Sequence, residues 1–358
     1  MIHQSHSASA CATLARMNPA SADPSAPDKS APPTARGQRD EATARTTHAQ
    51  IEARFGVKSL RFAVTGASGL VGARLVSFLG HGGHEVVSFV RHPARNPSER
   101  QWNPSDLQQG LDPEDLRDID VVVHLAGESI ASSRWTKERK QRILESRTHG
   151  TALMARAIAR CSRPPIAFLC ASAIGFYGPR DSEPVDEMSG VGEGFLAEVV
   201  SAWEDAAQAA RVAGVRTVHL RFGVVLSASG GALKEMLLPF RCGLGGPIGN
   251  GKQGFSWVSL DDVLGAVLFA ARHESLAGAV NVVAPTACSQ REFARALGHA
   301  LHRPSFAPLP AVIVRIIFGE MGQRLLLDGA FVRPRVLQRD GFCFTHASLA
   351  AALAHELG

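Results

Sequence analysis

The sequence predicts an α/β fold, a doubly wound parallel sheet with helices on both faces and a small, mainly helical C-terminal appendage. Three observations carry this. Apolar, β-branched runs alternate with segments of helical periodicity from residue 60 to residue 302, which is how βα units laid side by side read. The first apolar run leads straight into glycines spaced three apart, Gly66, Gly69 and Gly72. Pro304, Pro308 and Pro310 then interrupt the pattern before a last, helix-like stretch. A chain of 358 residues can hold one large domain of this class and a smaller unit.

Taken in order, residues 1–58 are rich in Ala, Ser, Thr, Pro and Arg and lack apolar periodicity, so they are expected to be a disordered extension whose removal leaves the fold intact. Asp23, Asp28, Asp40 and Glu41 argue against an organelle address, and no apolar core supports a secretory signal. After the glycine turn, Leu70, Val71, Leu75, Val76, Phe78 and Leu79 give one apolar helical face. Strands are expected at 84–90, 119–127, 165–172 and 216–223, with helices at 135–161 and 193–213 between them. The glycine-rich stretch 243–254 reads either as a loop that closes over a substrate or as a surface excursion. A strand at 255–260 precedes a helix capped by Asp261 or Asp262, and a strand at 279–285 precedes a helix at 289–302. The units are therefore 1–58, a sheet domain over 59–303 and the appendage over 304–358.

Composition excludes several functions. Of the net charge of +5, seven basic and five acidic residues in 1–58 account for +2, so no strongly positive domain is hidden and nucleic acid is not an expected partner. The six cysteines form no C-x-x-C pair, and Cys170 sits in an apolar strand, which fits a reducing cytoplasm. No apolar run approaches the ~20 residues that span a bilayer, so no membrane partner is expected. Of the fourteen histidines, His81 and His84 are three apart beside Gly82 and Gly83 but lack a second ligand pair. A turn explains them better than a metal site.

The residues from Gly66 to Gly72, with Ala67, Ser68, Leu70 and Val71 between the glycines, form a strand-turn-helix junction of the kind that holds a dinucleotide pyrophosphate. Glycine permits the tight turn and close backbone approach, and the helix N-terminus attracts the anion. An acid at the end of the second strand selects NAD, whereas a basic residue accommodates the 2′-phosphate of NADP. Here Arg91 follows Val90, and Arg95 adds nearby charge. NADP is the expected cofactor.

The segments 65–72, 124–127, Ser172 ahead of Tyr177-Gly178 and 257–263 resemble the extended short-chain dehydrogenase/reductase superfamily, whose dinucleotide domain is Rossmann-like. Segments 125–130, Arg134-Trp135, Ser146-Arg147, 220–226, 236–249, 297–304, 318–320 and 334–344 are similar to its atypical epimerase-family group, which carries a small C-terminal domain. The resemblance runs from about residue 60 to the end. It implies that Val90 and Arg91 hold the adenosine-phosphate side of NADP(H), Leu125, Ala126 and Gly127 its adenine-side ribose, and Val225 the nicotinamide end. Arg147 would reach phosphate or ribose, with an ion pair to a neighbouring acid as its structural alternative.

Catalysis in that superfamily uses a tyrosine and a lysine four residues later, the lysine lowering the phenol pKa. The single tyrosine here, Tyr177, has Asp181 at that spacing, and Phe195 and Val199 stand where the pair is expected. Ser172 and Tyr177 remain the catalytic candidates, with Glu204 nearby. No nucleophile elbow or P-loop offers another chemistry. Two functions follow: an NADP-dependent oxidoreductase or epimerase-like enzyme of an unidentified small molecule, or a non-catalytic NADP sensor. A homo-oligomer is left open.

Overall fold

The computed structural model describes residues 35–180 and 182–358. Strands β1 (Arg61–Thr65), β2 (Glu85–Val90), β3 (Glu99–Gln101), β4 (Val121–His124), β5 (Ala167–Ala173) and β6 (Arg216–Phe222) enter the central sheet in turn. Three short strands follow, β7 (Val224–Leu226), β8 (Gly254–Phe255) and β9 (Trp257–Ser259), before β10 (Gly278–Val282) completes it. The order is β10-β6-β5-β4-β1-β2-β3 with every pair parallel. Phe62, Ala63 and Val64, Val121 to Val123, and Ala167, Phe168 and Leu169 are wholly buried. Helices cover both faces, so these strands have no polar side to show water. From β1 the chain moves outward to β2 and β3, then returns to the other side of β1 for β4 and its successors. The crevice between β1 and β4 is therefore the topological switch point, where ligands of such sheets bind.

Three local expectations are corrected. The helix over 193–213 is two, Phe195–Asp205 and Gln208–Val212, because Ala206 and Ala207 turn the chain and seat Ala207 and Ala210 against the Lys137–Arg160 helix. The Leu260–Arg272 helix is capped by Ser259, whose hydroxyl accepts from the Asp262 N–H, so Asp261 and Asp262 lie inside its first turn. β3 escaped the pattern because its Glu-Arg-Gln sequence carries no apolar alternation and pairs only at the sheet edge.

The extension also departs from expectation. Residues 1–34 lie outside the described residues, but Ala35–Phe55 is a helix packed on the Leu70–His81 and Leu260–Arg272 helices. Its contact stripe is Ala44, Thr47, His48, Ile51 and Phe55, with the polar Thr47 and His48 buried between the apolar members. Those two polar residues dilute the apolar period. The His48 ring stacks on Phe78 with centroids 4.2 Å apart, and its Nε2 lies 2.9 Å from the Phe78 carbonyl. Arg272 closes the helix end through the carbonyls of Phe55, Gly56 and Lys58.

The C-terminal residues, expected as an appendage, share the core of the sheet domain. Leu337 and Phe342 join the apolar cluster around β1, and Ala352 and Leu353 join Phe293 and Leu297. The glycine-rich stretch is what lets them dock. A Cβ on Gly246 would fall 2.2 Å from the Ala307 carbonyl oxygen, and one on Gly254 would fall 2.4 Å from the Ala330 carbonyl carbon. The stretch is therefore neither a free lid nor a plain surface excursion.

Two outcomes are expected. A chain beginning at residue 59 should melt several degrees lower than the full chain, because removing Ile51 alone forfeits about 1.5–3 kcal/mol of burial; equal melting by calorimetry would show the helix contributes nothing. Acid should also weaken the fold. Burial holds His124 and His219 neutral, each down at about 4 from an ordinary 6.5. Their contribution is present above pH 6.5, where folded and unfolded states are both neutral, and is lost as pH falls toward 4, because only the unfolded state takes up the protons. Chemical denaturation should show a loss of roughly 2 kcal/mol per histidine between pH 7 and 5, and replacement of both by Gln should flatten that slope.

Candidate functional site

At the end of β1 the three glycines differ in what they do. Gly66 has φ +70°, and a Cβ there would lie 2.9 Å from the Leu125 carbonyl carbon. A Cβ on Gly72 would meet the Gly66 oxygen at 2.1 Å. Both are required by the chain's own packing. Gly69 is the least constrained of the three: its φ of −78° suits any residue, and a Cβ there would meet only the Gly66 oxygen, at a tight 3.3 Å that a small shift relieves. It is also the N-cap of the Leu70–His81 helix with no side chain to cap the first N–H groups. Ala67 and Ser68 complete the turn, and Val71 packs toward the core.

The other expected nucleotide residues surround this turn. Thr65 pairs with Phe89 in register, so Val90 and Arg91 lie beside Gly66 at the end of β2. Arg91 is exposed and pairs with no acid among the described residues. On the β4 side, the Thr65 hydroxyl accepts from the Leu125 and Ala126 N–H groups at 3.1 and 3.2 Å. Gly127 follows, and a Cβ on it would lie 3.6 Å from the Arg147 guanidinium carbon. Arg147 donates to the Ile143 carbonyl and stacks 5.1 Å over Trp203. No carboxylate pairs with it among the described residues, and burial lowers it to about 10. The ion-pair alternative therefore does not hold. Val225 is brought close through Leu70, whose side chain touches Gly230 and Gly231 while the Val225 carbonyl lies 3.8 Å from the Gly231 Cβ position. The loop ahead of Gly230 is tied down where the Ala228 N–H donates to Glu356 Oε2 at 2.8 Å.

Ser172 and Tyr177 are brought together in a buried network rather than left facing a ligand. Ser172 Oγ donates to Glu204 Oε1 at 2.6 Å, and Arg221 grips both Glu204 oxygens at 2.7 and 2.8 Å. Arg221 Nη1 also donates to the Tyr177 hydroxyl at 3.0 Å, and that hydroxyl donates to Asn281 Oδ1 at 2.7 Å. The guanidinium lies 3.5 Å over the Phe176 ring. Burial would raise Glu204, but the bonds from Arg221 and Ser172 outweigh it and hold the carboxyl below its ordinary value. Tyr177 is raised, burial winning over Arg221. The Tyr177 hydroxyl is thus occupied on both sides, by the Arg221 guanidinium and the Asn281 amide oxygen. Arg221 and Asn281 went unread, although a charged residue inside an apolar strand implies a buried partner.

A cleft of about 340 Å³ opens between the Lys137–Arg160 helix, Phe195 and Glu320 of the Ala311–Gly322 helix. Trp135 and Phe195 meet edge to face at 5.0 Å. Lys140 Nζ sits 4.7 Å over the Phe195 ring and 2.9 Å from both Glu320 oxygens. Neither Trp135 nor Lys140 stood out in the sequence as part of a site.

The NAD dependent epimerase/dehydratase family model matches residues 62–283, and a domain of unknown function, DUF1731, matches residues 309–356. An epimerase family protein of Mycobacterium bovis is 39% identical over 293 residues, covering 82% of this chain and 96% of that protein. The human epimerase family protein SDR39U1 is 37% identical over 299 residues, covering 82% and 98%. The crystal structure of that human protein, isoform 2, with NADPH matches at a TM-score of 0.76 and 36% identity over 83% of this chain and 99% of its own. That of a nucleoside-diphosphate sugar epimerase from Corynebacterium glutamicum matches at 0.74 and 31%, over 90% of this chain and 64% of its own.

Proposed function

The chain belongs to the NAD dependent epimerase/dehydratase family, and from that premise we propose that it is an NADP(H)-binding oxidoreductase of a small molecule that works without the tyrosine-lysine pair. The observation that carries the reading is Gly69: packing within the chain explains the glycines on either side of it, and a pyrophosphate against the uncapped helix explains this one. Arg147, half-buried without a counter-charge among the described residues beside Gly127, would supply a second cationic contact from the β4 side. Arg91 faces the 2′-phosphate across the turn. The human relative's structure with NADPH supports the same choice of nucleotide.

Bound there, the nicotinamide would supply a hydride donor or acceptor. Val225 and Leu70 form the apolar floor toward that end. The substrate would lie in the cleft by Trp135 and Phe195, with Lys140 as its donor and Glu320 holding Lys140 in place. Ser172 and Glu204 shape the end of β5 and transfer no proton in this reading. A second reading, an NADP(H) sensor, is favoured by Phe195 and Val199, which cannot titrate. The five unpaired cysteines among the described residues fit a reducing, cytoplasmic setting. Among those residues no helix is long and apolar enough to cross a membrane.

Titration calorimetry should find NADPH tighter than NADH by about tenfold at low salt, the low end for an exposed charge-assisted bond, with added salt narrowing the gap. Arg91→Ala should weaken NADPH alone; equal affinities in the native protein would leave Arg91 a plain surface charge. Gly69→Val should keep the melting temperature and lose both nucleotides, whereas retained binding would move the ligand elsewhere. NADPH oxidation across a panel of small carbonyl compounds separates enzyme from sensor, a uniform lack of turnover with intact binding favouring the sensor.

Tyr177→Phe tests the network. It should cost about 1–3 kcal/mol of stability, since Asn281 and Arg221 each lose a buried partner, and should leave NADPH affinity unchanged. An unaltered fold with turnover lost would restore the phenol to catalysis.

A further inference from the structure

We propose that Asp261, His346 and His355 form a site for a first-row divalent metal ion of the zinc class, closed by Asp40 from the N-terminal helix. The Nε2 atoms of both histidines converge on one oxygen: His346 lies 3.2 Å and His355 2.9 Å from Asp261 Oδ2. One donor atom from each of the three residues lies within 4.8 Å of the others. Bonds of about 2.0–2.2 Å in a tetrahedral zinc site place neighbouring ligand atoms roughly 3.4 Å apart. Both histidine nitrogens thus lie from Asp261 Oδ2 at about the spacing an ion would impose. Asp40 Oδ1 lies 3.3 Å from His355 Nε2 and offers a fourth donor.

The surroundings hold this arrangement from outside. Arg74 binds Asp40 through Oδ2 and lies 4.0 Å from Asp261 Oδ1, the oxygens turned away from the histidines. It therefore orients both carboxylates and leaves Asp40 Oδ1 and Asp261 Oδ2 for the ion. Asp262 Oδ1 and Oδ2 accept from the Thr345 and His346 N–H groups at 2.6 and 3.1 Å, which fixes the backbone that carries His346. The two imidazoles lie 4.6 Å apart at 36°. All four side chains are nearly buried, between 9% and 12% exposed. Two imidazoles with carboxylates suit zinc or cobalt, while magnesium and calcium favour oxygen-only sets. An ion here would join the N-terminal helix, the first turn of the Leu260–Arg272 helix and the C-terminal segment.

The test uses the full chain, stripped with chelator and titrated with Zn²⁺ in a calorimeter and with Co²⁺ in a spectrophotometer. One Zn²⁺ should bind per chain and raise the melting temperature. Co²⁺ should give the strong visible bands of tetrahedral nitrogen and oxygen coordination. The His346→Gln/His355→Gln protein should lose about 100-fold or more in affinity, and Asp40→Asn, which leaves the buried histidines in place, should weaken binding while the chain stays folded. No saturable Zn²⁺ binding, octahedral Co²⁺ spectra, thiolate charge-transfer bands from a cysteine site, or equal binding by the double variant would each overturn the proposal. The spectrum of the native chain decides even if that variant does not fold.

Discussion

Everything at the ligand-facing edge of the sheet depends on how closely β1 and β4 approach where their strands end. The Thr65 hydroxyl accepts two N–H groups from the chain leaving β4 and lies 2.9 Å from His124 Nδ1. Gly66, one residue on, lets the Leu125 carbonyl press against its backbone. These contacts set the mouth of the crevice and fix where the Leu70–His81 helix begins. A side chain at Gly66 would meet the Leu125 carbonyl carbon at 2.9 Å in a backbone conformation that L-residues rarely adopt, so the close approach of β1 and β4 here depends on glycine. The buried, neutral His124 is part of the cost of that closure, since its Nε2 has no partner among the described residues.

A second constraint lies one strand further along. Glu204 and Arg221 are two charges removed from water, and such a pair is tolerated only when nearly every donor and acceptor is met. Ser172, Tyr177 and Asn281 meet them. The catalytic candidates Ser172 and Tyr177 are thereby tied into the same hydrogen-bond network as this charged pair. Open, chemically varied surface is found instead where the Lys137–Arg160 helix faces the Ala311–Gly322 helix, a place that exists only because the C-terminal segment is built into the domain.

The sheet was legible because both of its faces are buried: Phe62 to Val64 and Val121 to Val123 are apolar without alternation, and the glycine spacing marked the turn after the first strand. The cofactor-binding candidates were named from their local pattern and from family resemblance, and the fold brings Gly66 to Gly72, Val90 and Arg91, and Leu125 to Gly127 to the same end of the sheet. What stayed hidden depended on partners distant in sequence. The Ala35–Phe55 helix docks through Ala44, Ile51 and Phe55 with the polar Thr47 and His48 between them, and the polar pair weakens its apolar signature. Asn281 matters through Tyr177, Lys140 through Glu320, and the histidines near the C-terminus through an aspartate on a central helix. A window of the sequence contains one half of each of these pairs. The helix cap at Ser259 was missed for a different reason: the two aspartates beside it are equally good capping residues, and only the backbone geometry chooses.

The bond from Ala228 to Glu356 has a consequence for how the molecule comes into being. The loop it anchors rests on Leu70, the first residue of the helix at the glycine turn, so a contact made by residue 356 steadies the region assembled around residues 66–72. During synthesis β1, β2 and β4 can pair long before that residue leaves the ribosome. A nascent chain would thus hold a half-formed crevice for most of its translation. At an elongation rate of roughly 5–20 residues per second, the wait between the turn and its distant anchor is on the order of tens of seconds. Chaperones would meet the open form of this edge, and a ligand would meet the finished one.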